Sequence, residues 1–292
     1  MHKPDFYCVN ESAGVEVPLQ DRGFAFGDGV FETMRVEQGA IPLWEYHRER
    51  LLKGLAALSI AVPIARLEHN LQLQRQAFEQ RSGCVQGISK LVVTRGCSVG
   101  GYQYPDSIEA TIALTFTQKQ IPVAGMEHLC RSQVAVYGDP RVSGIKHLSR
   151  LENVLARQEA QSAGYSDAVL SLESGALLET TNSNLFFETE QGDLVTPSMG
   201  HAGVNGVMKR LIRESIGPAL GISVIEREVY WHEIGDFVSA FKTNAVSGVT
   251  PVASIAYRRY QFSNLIQELQ ERVLERFEAP RFGKQQGYFD IE

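Results

Sequence analysis

The chain has no long hydrophobic run among its 292 residues. A membrane-spanning helix needs about 18 uncharged apolar residues in a row, and no stretch approaches that length. The polar start, MHKPDFYCVNESAG, lacks the basic and apolar regions of a signal peptide. We therefore expect a cytoplasmic protein with no membrane partner.

Positive charge is also scarce. The 28 Lys and Arg residues are outnumbered by 34 Asp and Glu residues, which gives a formal net charge of −6. No run of like charges forms the basic patch that nucleic-acid-binding proteins usually present. The composition therefore predicts no nucleic-acid partner.

Cysteine is rare as well. The four cysteines are Cys8, Cys84, Cys97 and Cys130. They are widely spaced, form no CxxC pair and do not cluster with histidine as zinc ligands would. We expect reduced, unpaired thiols and no metal site.

The chain does contain many short β-like runs separated by turn residues. These runs cover residues 87–95, 108–116, 126–136, 167–172, 176–181, 184–189 and 236–243. Turn residues at 173–175 and 191–193 join neighbouring runs closely enough for hairpins. Antiparallel meanders are therefore predicted, and a doubly wound parallel sheet is disfavoured.

Four further segments repeat apolar residues with helical spacing, which makes the predicted fold class α+β or α/β. The apolar stripes are Leu51, Leu55 and Leu58; Leu67, Leu71 and Phe78; Leu148, Leu151 and Leu155, with Gly164 as a stop; and Leu265, Leu269, Val273 and Phe277. The segment TQKQIPVAG has proline and glycine but no periodicity. We predict domains at residues 1–117 and 127–292, joined by a linker at 118–126.

Lys146 stands between a glycine-containing loop and the third of these helices, in SGIKHLSRLENVLARQ. Most such lysines are solvated surface charges. Other features of the chain would suit a small anionic cofactor that carries an aldehyde, as pyridoxal phosphate does. They decide between the two interpretations of Lys146.

Two segments could bind a phosphate. In AGVNGVMKRLIRES, a glycine-bracketed turn precedes a helix, so backbone N–H groups near Val204 and Asn205 would point out of its positive end. In HRERL, His47 and Arg50 share a helical face, and arginine can grip phosphate oxygens at two points. An ordinary helix N-cap and a surface arginine are the alternatives.

Two polar positions at strand ends complete the set. Glu179 ends an apolar run, where a carboxylate is costly unless it meets a cation such as a protonated pyridine nitrogen. Thr243 and Asn244 lie in a polar turn and offer donors to phosphate. A solvated strand end and an ordinary turn remain open as alternatives.

In this order the segments resemble fold-type IV pyridoxal-phosphate enzymes, which include branched-chain aminotransferases, D-amino acid aminotransferases and 4-amino-4-deoxychorismate lyases. The resemblance implies a smaller N-terminal α/β domain, a larger C-terminal cofactor-binding domain and a cofactor between them. It also implies a homodimer whose partner contributes to the active site. The matching stretches are DRGFAFGDGVFETMRV, HRERL, the lysine segment, LLETTNSNLFF, AGVNGVMKR and TNAVSGVTPV.

Within the family, the chain looks most similar to the lyases. The runs at residues 146–148 and 204–206 are lyase-like, and RGCSVGGY resembles a stretch of those enzymes. The lyases often carry an additional arginine in that stretch, where this chain has Val99 and Gly100. The resemblance therefore leaves open how the substrate's carboxylates are held.

The resemblance also implies roles for individual residues. Lys146 would be the Schiff-base lysine and general base, and Glu179 would keep the pyridine nitrogen protonated. The implied phosphate anchors are Arg50, the backbone of Val204 and Asn205, and Thr243 with Asn244.

The substrate carboxylates need a cation, for which Arg95 is the candidate, although a structural ion pair is equally plausible. Glu32 and Thr33 would line the pocket or merely alternate on a strand.

Three hypotheses for the function follow. The first is a lyase that converts 4-amino-4-deoxychorismate to 4-aminobenzoate and pyruvate for folate synthesis. The second is a transaminase of the same fold, acting on D-amino acids or branched-chain ones. The third is a non-catalytic α+β protein in which Lys146 is only a helix-start lysine.

Overall fold

The computed structural model describes residues 4–13, 16–80 and 86–278. The chain forms two compact units. The first contains Met1–Ile121, Lys146–Ser149 and Glu275–Glu292, and the second contains Pro122–Ile145 and Arg150–Leu274. Lys146–Ser149 belongs to the first unit although the residues on both sides of it belong to the second. The domain limits expected from the sequence stay a prediction.

The first unit is built on a five-stranded antiparallel sheet with strand order β2-β1-β5-β4-β3. Two longer helices lie on it and bury Leu51 and Leu55, and Leu67, Leu71 and Phe78, as the apolar spacing predicts. Leu58 is only half-buried, because α2 ends just before it. The elements are β1 (Phe6–Val9), β2 (Ser12–Ala13), α1 (Arg22–Phe26), β3 (Gly29–Val36), α2 (Trp44–Ala57), α3 (Ile64–Glu79), β4 (Gly87–Thr94) and β5 (Thr111–Gln118).

The strand β5 starts three residues later than the sequence predicts and ends two residues later. Its limits follow from pairing with β4, which sets Gly87 opposite Gln118 and Thr94 opposite Thr111. Tertiary pairing therefore decides the strand ends that local pattern leaves ambiguous.

The second unit contains a mixed sheet in the order β11-β10-β9-β12-β13-β6-β7-β8, with β14 paired to β13. Its first elements are β6 (Glu127–Val136), α4 (Leu151–Ser162), β7 (Asp167–Leu172), β8 (Leu177–Thr180), β9 (Asn184–Glu188) and β10 (Leu194–Pro197). They are followed by α5 (Val207–Leu211), a π-helical turn (Ile212–Ile216), α6 (Gly217–Ala219), β11 (Val224–Arg227), β12 (Ser239–Asn244), β13 (Gly248–Ile255), β14 (Arg258–Arg259) and α7 (Asn264–Glu278).

Both predicted hairpins are present, since β7 pairs antiparallel with β8 and β9 with β10. The prediction of antiparallel meanders is incomplete, however, because β10–β11, β13–β6 and β6–β7 are parallel pairs. The parallel pairing of β6 with β7 is possible because α4 lies between them in sequence and returns the chain to the same end of the sheet.

The apolar stripe predicted for α4 is wrong. Leu148 precedes the helix, and Leu151 and Leu155 are 66% and 43% exposed. The helix instead buries Ala156 and Ala160 in a cluster with residues of β6 and β7. Two alanines at i and i+4 let a helix approach a sheet closely. The predicted stop is confirmed, because Gly164 follows the helix with φ of 75°.

No helix in the described part of the chain is long and apolar enough to cross a membrane. The thiols of Cys8, Cys97 and Cys130 are free, and Cys84 lies outside the described residues.

Candidate active site

A buried ionic cluster in the first unit joins β3 to α2. The Arg50 guanidinium donates to both carboxylate oxygens of Glu32, from Nε to Oε1 at 2.8 Å and from Nη2 to Oε2 at 2.5 Å. The His47 Nδ1 lies 2.6 Å from the same Oε2. His47 and Arg50 therefore share a helical face as predicted, but that face is buried at the sheet and not at the surface.

Burial and charge set the protonation of this cluster. Burial opposes ionisation of Glu32, but Arg50 and His47 outweigh it and lower the pKa of the carboxyl to about 2. Burial also lowers the pKa of His47, and Glu32 opposes this only in part. At neutral pH the imidazole is therefore uncharged, with its proton on Nδ1 facing the carboxylate. Among the described residues its buried Nε2 has no hydrogen-bond partner.

Lys146 does not start a helix. It lies in an extended segment beside β3, where its carbonyl accepts from the Phe31 N–H at 2.9 Å and Leu148 N–H donates to the Gly29 carbonyl at 2.9 Å. The Lys146 Nζ is 4.4 Å from the centroid of the Phe31 ring. The predicted helix begins only at Leu151, because these long-range hydrogen bonds hold the preceding residues extended.

Arg95 is engaged by its own unit. Its guanidinium donates twice to Asp28, at 2.8 and 3.0 Å, and also to the carbonyls of Leu58 and Ser59. It stacks 4.1 Å from the ring centroid of Tyr104. This geometry favours the structural ion pair that the sequence left open as the alternative to carboxylate binding.

The two pocket candidates on β3 differ from each other. Glu32 is 1% exposed and is held by Arg50 and His47. Thr33 is half-buried and pairs in register with Lys90 of β4. This difference in burial is the one expected for residues that alternate on a strand.

In the second unit, Glu179 lies near the end of β8 and is 6% exposed. Its Oε2 accepts from the Val204 N–H at 3.1 Å and from the Asn184 Nδ2 at 3.3 Å. Asn184 also donates to the Val204 carbonyl at 3.0 Å. These donors stabilise the charged carboxylate and fix its orientation, which offsets part of the free energy lost on burying it.

The prediction of free N–H groups at Val204 and Asn205 is wrong. The Val204 N–H donates to Glu179, and the Asn205 N–H donates to the Gly144 carbonyl at 2.9 Å. Both acceptors are distant in sequence, so no local pattern could reveal them. The helix α5 begins two residues after Asn205, at Val207.

The start of α5 offers backbone donors that were not predicted from the sequence. The N-cap is Gly206, which supplies no side-chain hydrogen bond to the helix. The first N–H groups of a helix have no intrahelical acceptor, so Val207 and Met208 present N–H groups at its positive end. A β-carbon on Gly206 would lie 1.9 Å from the Asn184 Oδ1, which explains the glycine.

Thr243 and Asn244 build the turn between β12 and β13. The Thr243 hydroxyl donates to the Gly248 carbonyl at 2.8 Å. The Asn244 Oδ1 accepts from the N–H groups of Val246 and Ser247, and its Nδ2 donates to the Ser183 Oγ at 2.9 Å. The Thr243 hydroxyl is therefore used within the turn and the Asn244 amide by Ser183, so both side-chain donors predicted to face a phosphate have acceptors in the protein.

A further buried pair adjoins this region and was not predicted. The Lys242 Nζ lies 2.7 Å from Asp167 Oδ2, and Asp167 Oδ1 accepts from the Thr181 hydroxyl at 2.5 Å. Thr181 belongs to the turn between Glu179 and Asn184. The signals in the sequence were Asp167 at the first position of the apolar strand DAVLSL and Lys242 within the apolar run DFVSAFKT.

The family model for amino-transferase class IV matches residues 29–255. The chain belongs to this family. Pyridoxal phosphate is therefore its cofactor, and the fold-type IV architecture expected from the sequence is confirmed.

Individual relatives carry different names. The aminodeoxychorismate lyase of Vibrio harveyi is 29% identical over 258 residues, which cover 86% of this chain and 91% of the relative. The D-alanine aminotransferase of Bacillus licheniformis is 28% identical over 252 residues, covering 84% and 85%. The crystal structure of 4-amino-4-deoxychorismate lyase from Pseudomonas aeruginosa matches with a TM-score of 0.83 and 28% identity, covering 92% of this chain and 98% of that one.

The residues of each unit, taken by themselves, suit this cofactor. The first unit has a half-buried lysine and a buried arginine, Lys146 and Arg50. The second has the oriented carboxylate of Glu179 and the uncapped start of α5. An amine, a cation, an anion and backbone donors are the groups that an aldehyde, a phosphate and a pyridine nitrogen require.

Proposed function

We propose that this chain is a pyridoxal-phosphate-dependent lyase that converts 4-amino-4-deoxychorismate to 4-aminobenzoate and pyruvate. The observation that carries the proposal is the similarity to two lyases. One is the Vibrio harveyi protein, matched in sequence over 91% of its length, and the other is the Pseudomonas aeruginosa crystal structure, matched over 98% of its chain. The lyase-like runs KHL, VNG and RGCSVGGY support it locally.

In this proposal Lys146 acts as the general base. Its Nζ removes the proton from the amine-bearing carbon of the substrate, which requires a neutral amine. When bound, the cofactor supplies an aldehyde that captures amines and a ring that withdraws electrons. The backbone hydrogen bonds of Lys146 and Leu148 to β3 fix the point from which this side chain extends, and its Nζ lies 4.4 Å from the centroid of the Phe31 ring.

Glu179 is proposed as the partner of the pyridine nitrogen. Two N–H donors hold its Oε2, so the orientation of the carboxylate is fixed by the protein. A fixed anion favours the protonated ring nitrogen by electrostatic attraction. Replacing it with glutamine would keep the shape and remove that attraction.

The phosphate anchors proposed here differ in part from those expected from the sequence. Arg50 keeps this role, and the N–H groups of Val207 and Met208 replace those of Val204 and Asn205. Arg95 is kept in its structural role, because binding a substrate carboxylate would require it to leave Asp28. In this proposal the carboxylates of the substrate are bound by cations other than Arg95.

A homodimer in the cytoplasm is also part of the proposal. The exposed face of α4, formed by Leu151, Val154 and Leu155, supports association because it presents three adjacent apolar side chains to solvent. Leu155→Ser should shift the sedimentation of a dimer toward the monomer. Unchanged sedimentation would remove α4 from the interface.

The second candidate is an aminotransferase of the same family, acting on D-amino acids or branched-chain ones. It is favoured by the 28% identity to the D-alanine aminotransferase, which is almost that to the lyase. In that reaction Lys146 would move a proton between the substrate carbon and the cofactor carbon.

The deciding experiment incubates purified holoprotein with 4-amino-4-deoxychorismate and follows 4-aminobenzoate by fluorescence. Parallel reactions contain D-alanine or leucine with 2-oxoglutarate, and Lys146→Ala is the control for both. Release of aminobenzoate that is lost in the variant supports the lyase. Transamination without aminobenzoate selects the second candidate.

Borohydride reduction tests the cofactor lysine separately. A pyridoxyl group found on the peptide containing Lys146 supports its role, and a group found on another lysine refutes it.

A further inference from the structure

Glu179 and Asn184 lie on strands that are not neighbours in the sheet. In the strand order β8 is at one end and β9 is third from the other, so the ladder hydrogen bonds of the sheet do not set the distance between them. The chain passes from β8 to β9 through the turn at residues 181–183. The 3.3 Å hydrogen bond from the Asn184 amide to the Glu179 carboxylate therefore depends on how this turn is held.

Three side chains from other elements hold the turn. The hydroxyl and the N–H of Thr181 both donate to Asp167 Oδ1, at 2.5 and 3.3 Å. The Thr181 carbonyl accepts from Asn153 of α4 at 3.1 Å. The Ser183 hydroxyl oxygen accepts from Asn244 of β12 at 2.9 Å. Asp167 is the charged partner among the three, and hydrogen bonds to a carboxylate are about twice as strong as those between neutral groups.

The Asp167 carboxylate is itself anchored across the sheet. It begins β7, and its Oδ2 lies 2.7 Å from the Nζ of Lys242 in β12. Burial opposes ionisation of this carboxyl, but Lys242 and the donors to Oδ1 outweigh it and lower its pKa. The strand β7 is the neighbour of β8, and β12 is the neighbour of β9, with Lys242 in register with Leu185. The ion pair therefore joins the two pairs of strands close to Glu179 and Asn184.

We propose that Asp167 is a positioning residue for Glu179: through the Thr181 hydroxyl it holds the turn at residues 181–183, and it thereby keeps the Glu179 carboxylate in the orientation that favours a protonated pyridine nitrogen. The inference rests on the proposed role of Glu179 as partner of that nitrogen. It applies equally to elimination and to transamination.

The test follows the ring nitrogen in the holoprotein, loaded with pyridoxal phosphate that carries ¹⁵N in its pyridine ring. The ¹⁵N chemical shift distinguishes a protonated ring nitrogen from an unprotonated one, so a pH titration gives the midpoint at which the proton is lost. Asp167→Asn would also remove a partner of Lys242, so the variants change Thr181 instead. Thr181→Val lacks the hydroxyl at nearly the same volume, and Thr181→Ser retains it.

Two further variants calibrate the titration. Glu179→Gln gives the full size of the effect, since it removes the charge itself. Ser239→Ala is the control, because Ser239 is a buried residue at the far end of β12 whose hydroxyl donates to the Gln261 carbonyl at 2.8 Å. It loses a buried hydrogen bond of the same kind, away from the turn.

An adjacent opposite charge shifts a pKa by about 1–3 units, so Glu179→Gln should lower the midpoint by that amount. One hydrogen bond changes an equilibrium by about fivefold, so Thr181→Val should lower the midpoint by up to about 0.7 unit. Thr181→Ser and Ser239→Ala should keep the wild-type midpoint. Thr181→Ala, which lacks the hydroxyl and adds no bulk, repeats the test should the valine prevent folding.

A midpoint in Thr181→Val or Thr181→Ala equal to that in Thr181→Ser would overturn the inference and leave Glu179 in its role. An equal shift in Ser239→Ala would also overturn it, because the loss of any buried hydrogen bond would then suffice. An unchanged midpoint in Glu179→Gln would remove the proposed role of Glu179 together with the inference. The expected midpoints without any release of aminobenzoate would support the inference and sink the lyase assignment alone.

Discussion

Gly206→Ala is the substitution whose effect the structure predicts most directly. The backbone there has φ of −63° and ψ of 137°, a conformation that alanine adopts without strain. The added β-carbon, however, would lie 1.9 Å from Oδ1 and 3.1 Å from Cγ of Asn184. The whole effect therefore comes from one contact with one side chain.

The magnitude follows from what Asn184 must give up. Its amide has to move by about 1 Å, and overpacking of this kind typically costs about 1–3 kcal/mol. The shift also strains the hydrogen bonds from Nδ2 to the Val204 carbonyl and to Glu179, each worth about 1 kcal/mol. We expect a loss of about 3 kcal/mol in the free energy of unfolding. The proposed role of Glu179 also predicts weaker cofactor binding, because its carboxylate loses its orientation.

Urea unfolding of purified protein measures the first effect, and cofactor titration the second. Gly235→Ala is the matched control, since no atom lies within 4 Å of its β-carbon position, and it should stay within about 0.5 kcal/mol of wild type. Combining Gly206→Ala with Asn184→Ala removes the obstructing amide. In that background the alanine at 206 should cost less than about 0.5 kcal/mol.

The reasoning fails if Gly206→Ala unfolds at the same urea concentration as Gly235→Ala. It fails equally if the effects of the 206 and 184 substitutions simply add, because then the two side chains do not meet.

Three further predictions concern buried titratable groups. Glu32 has a folded-state pKa of about 2, below its usual 4.5, so its contribution to stability is complete above about pH 5 and is lost as the pH falls toward 2. Glu32→Gln should therefore flatten the dependence of the urea midpoint on pH between 5 and 3. An unchanged slope would contradict this. Asp167→Asn removes one of the two carboxylates that lie 2.7 Å from the buried Lys242 ammonium, the other being that of Glu127, and should lower the free energy of unfolding by about 1–3 kcal/mol, whereas an unchanged urea midpoint would show that the pair is dispensable. Burial raises the pKa of the Cys8 thiol to about 11, so iodoacetamide at pH 8 should label the exposed Cys97 in the folded protein and Cys8 only after unfolding, as read by peptide mass spectrometry.

Features that depend on neighbouring residues were readable from the sequence. The turn around Gly175 made a hairpin because the residues that close it are adjacent in the chain. Gly164 ended a helix because glycine tolerates the positive φ found there. The family itself was recognisable, since its signature is a set of short segments in a fixed order.

Features that depend on distant partners were not. Val204 and Asn205 looked like phosphate donors until Glu179 and Gly144 proved to accept their N–H groups. For Arg95 the sequence left a substrate anchor and a structural ion pair equally open, and the fold places its guanidinium against Asp28. In each case the chemical type of the donor was correctly predicted from the sequence, and only the fold decided which acceptor lies within hydrogen-bond distance of it.

The sequence alone therefore determined the family, the cofactor and which kinds of side chain the chemistry requires, because these depend on residue identity and order. The tertiary structure decided which of those groups are still available. Hydrogen-bond donors are satisfied by whichever acceptor the fold brings near, and the pairing of Arg50 with Glu32 and the position of Lys146 beside β3 join residues that are far apart in the chain.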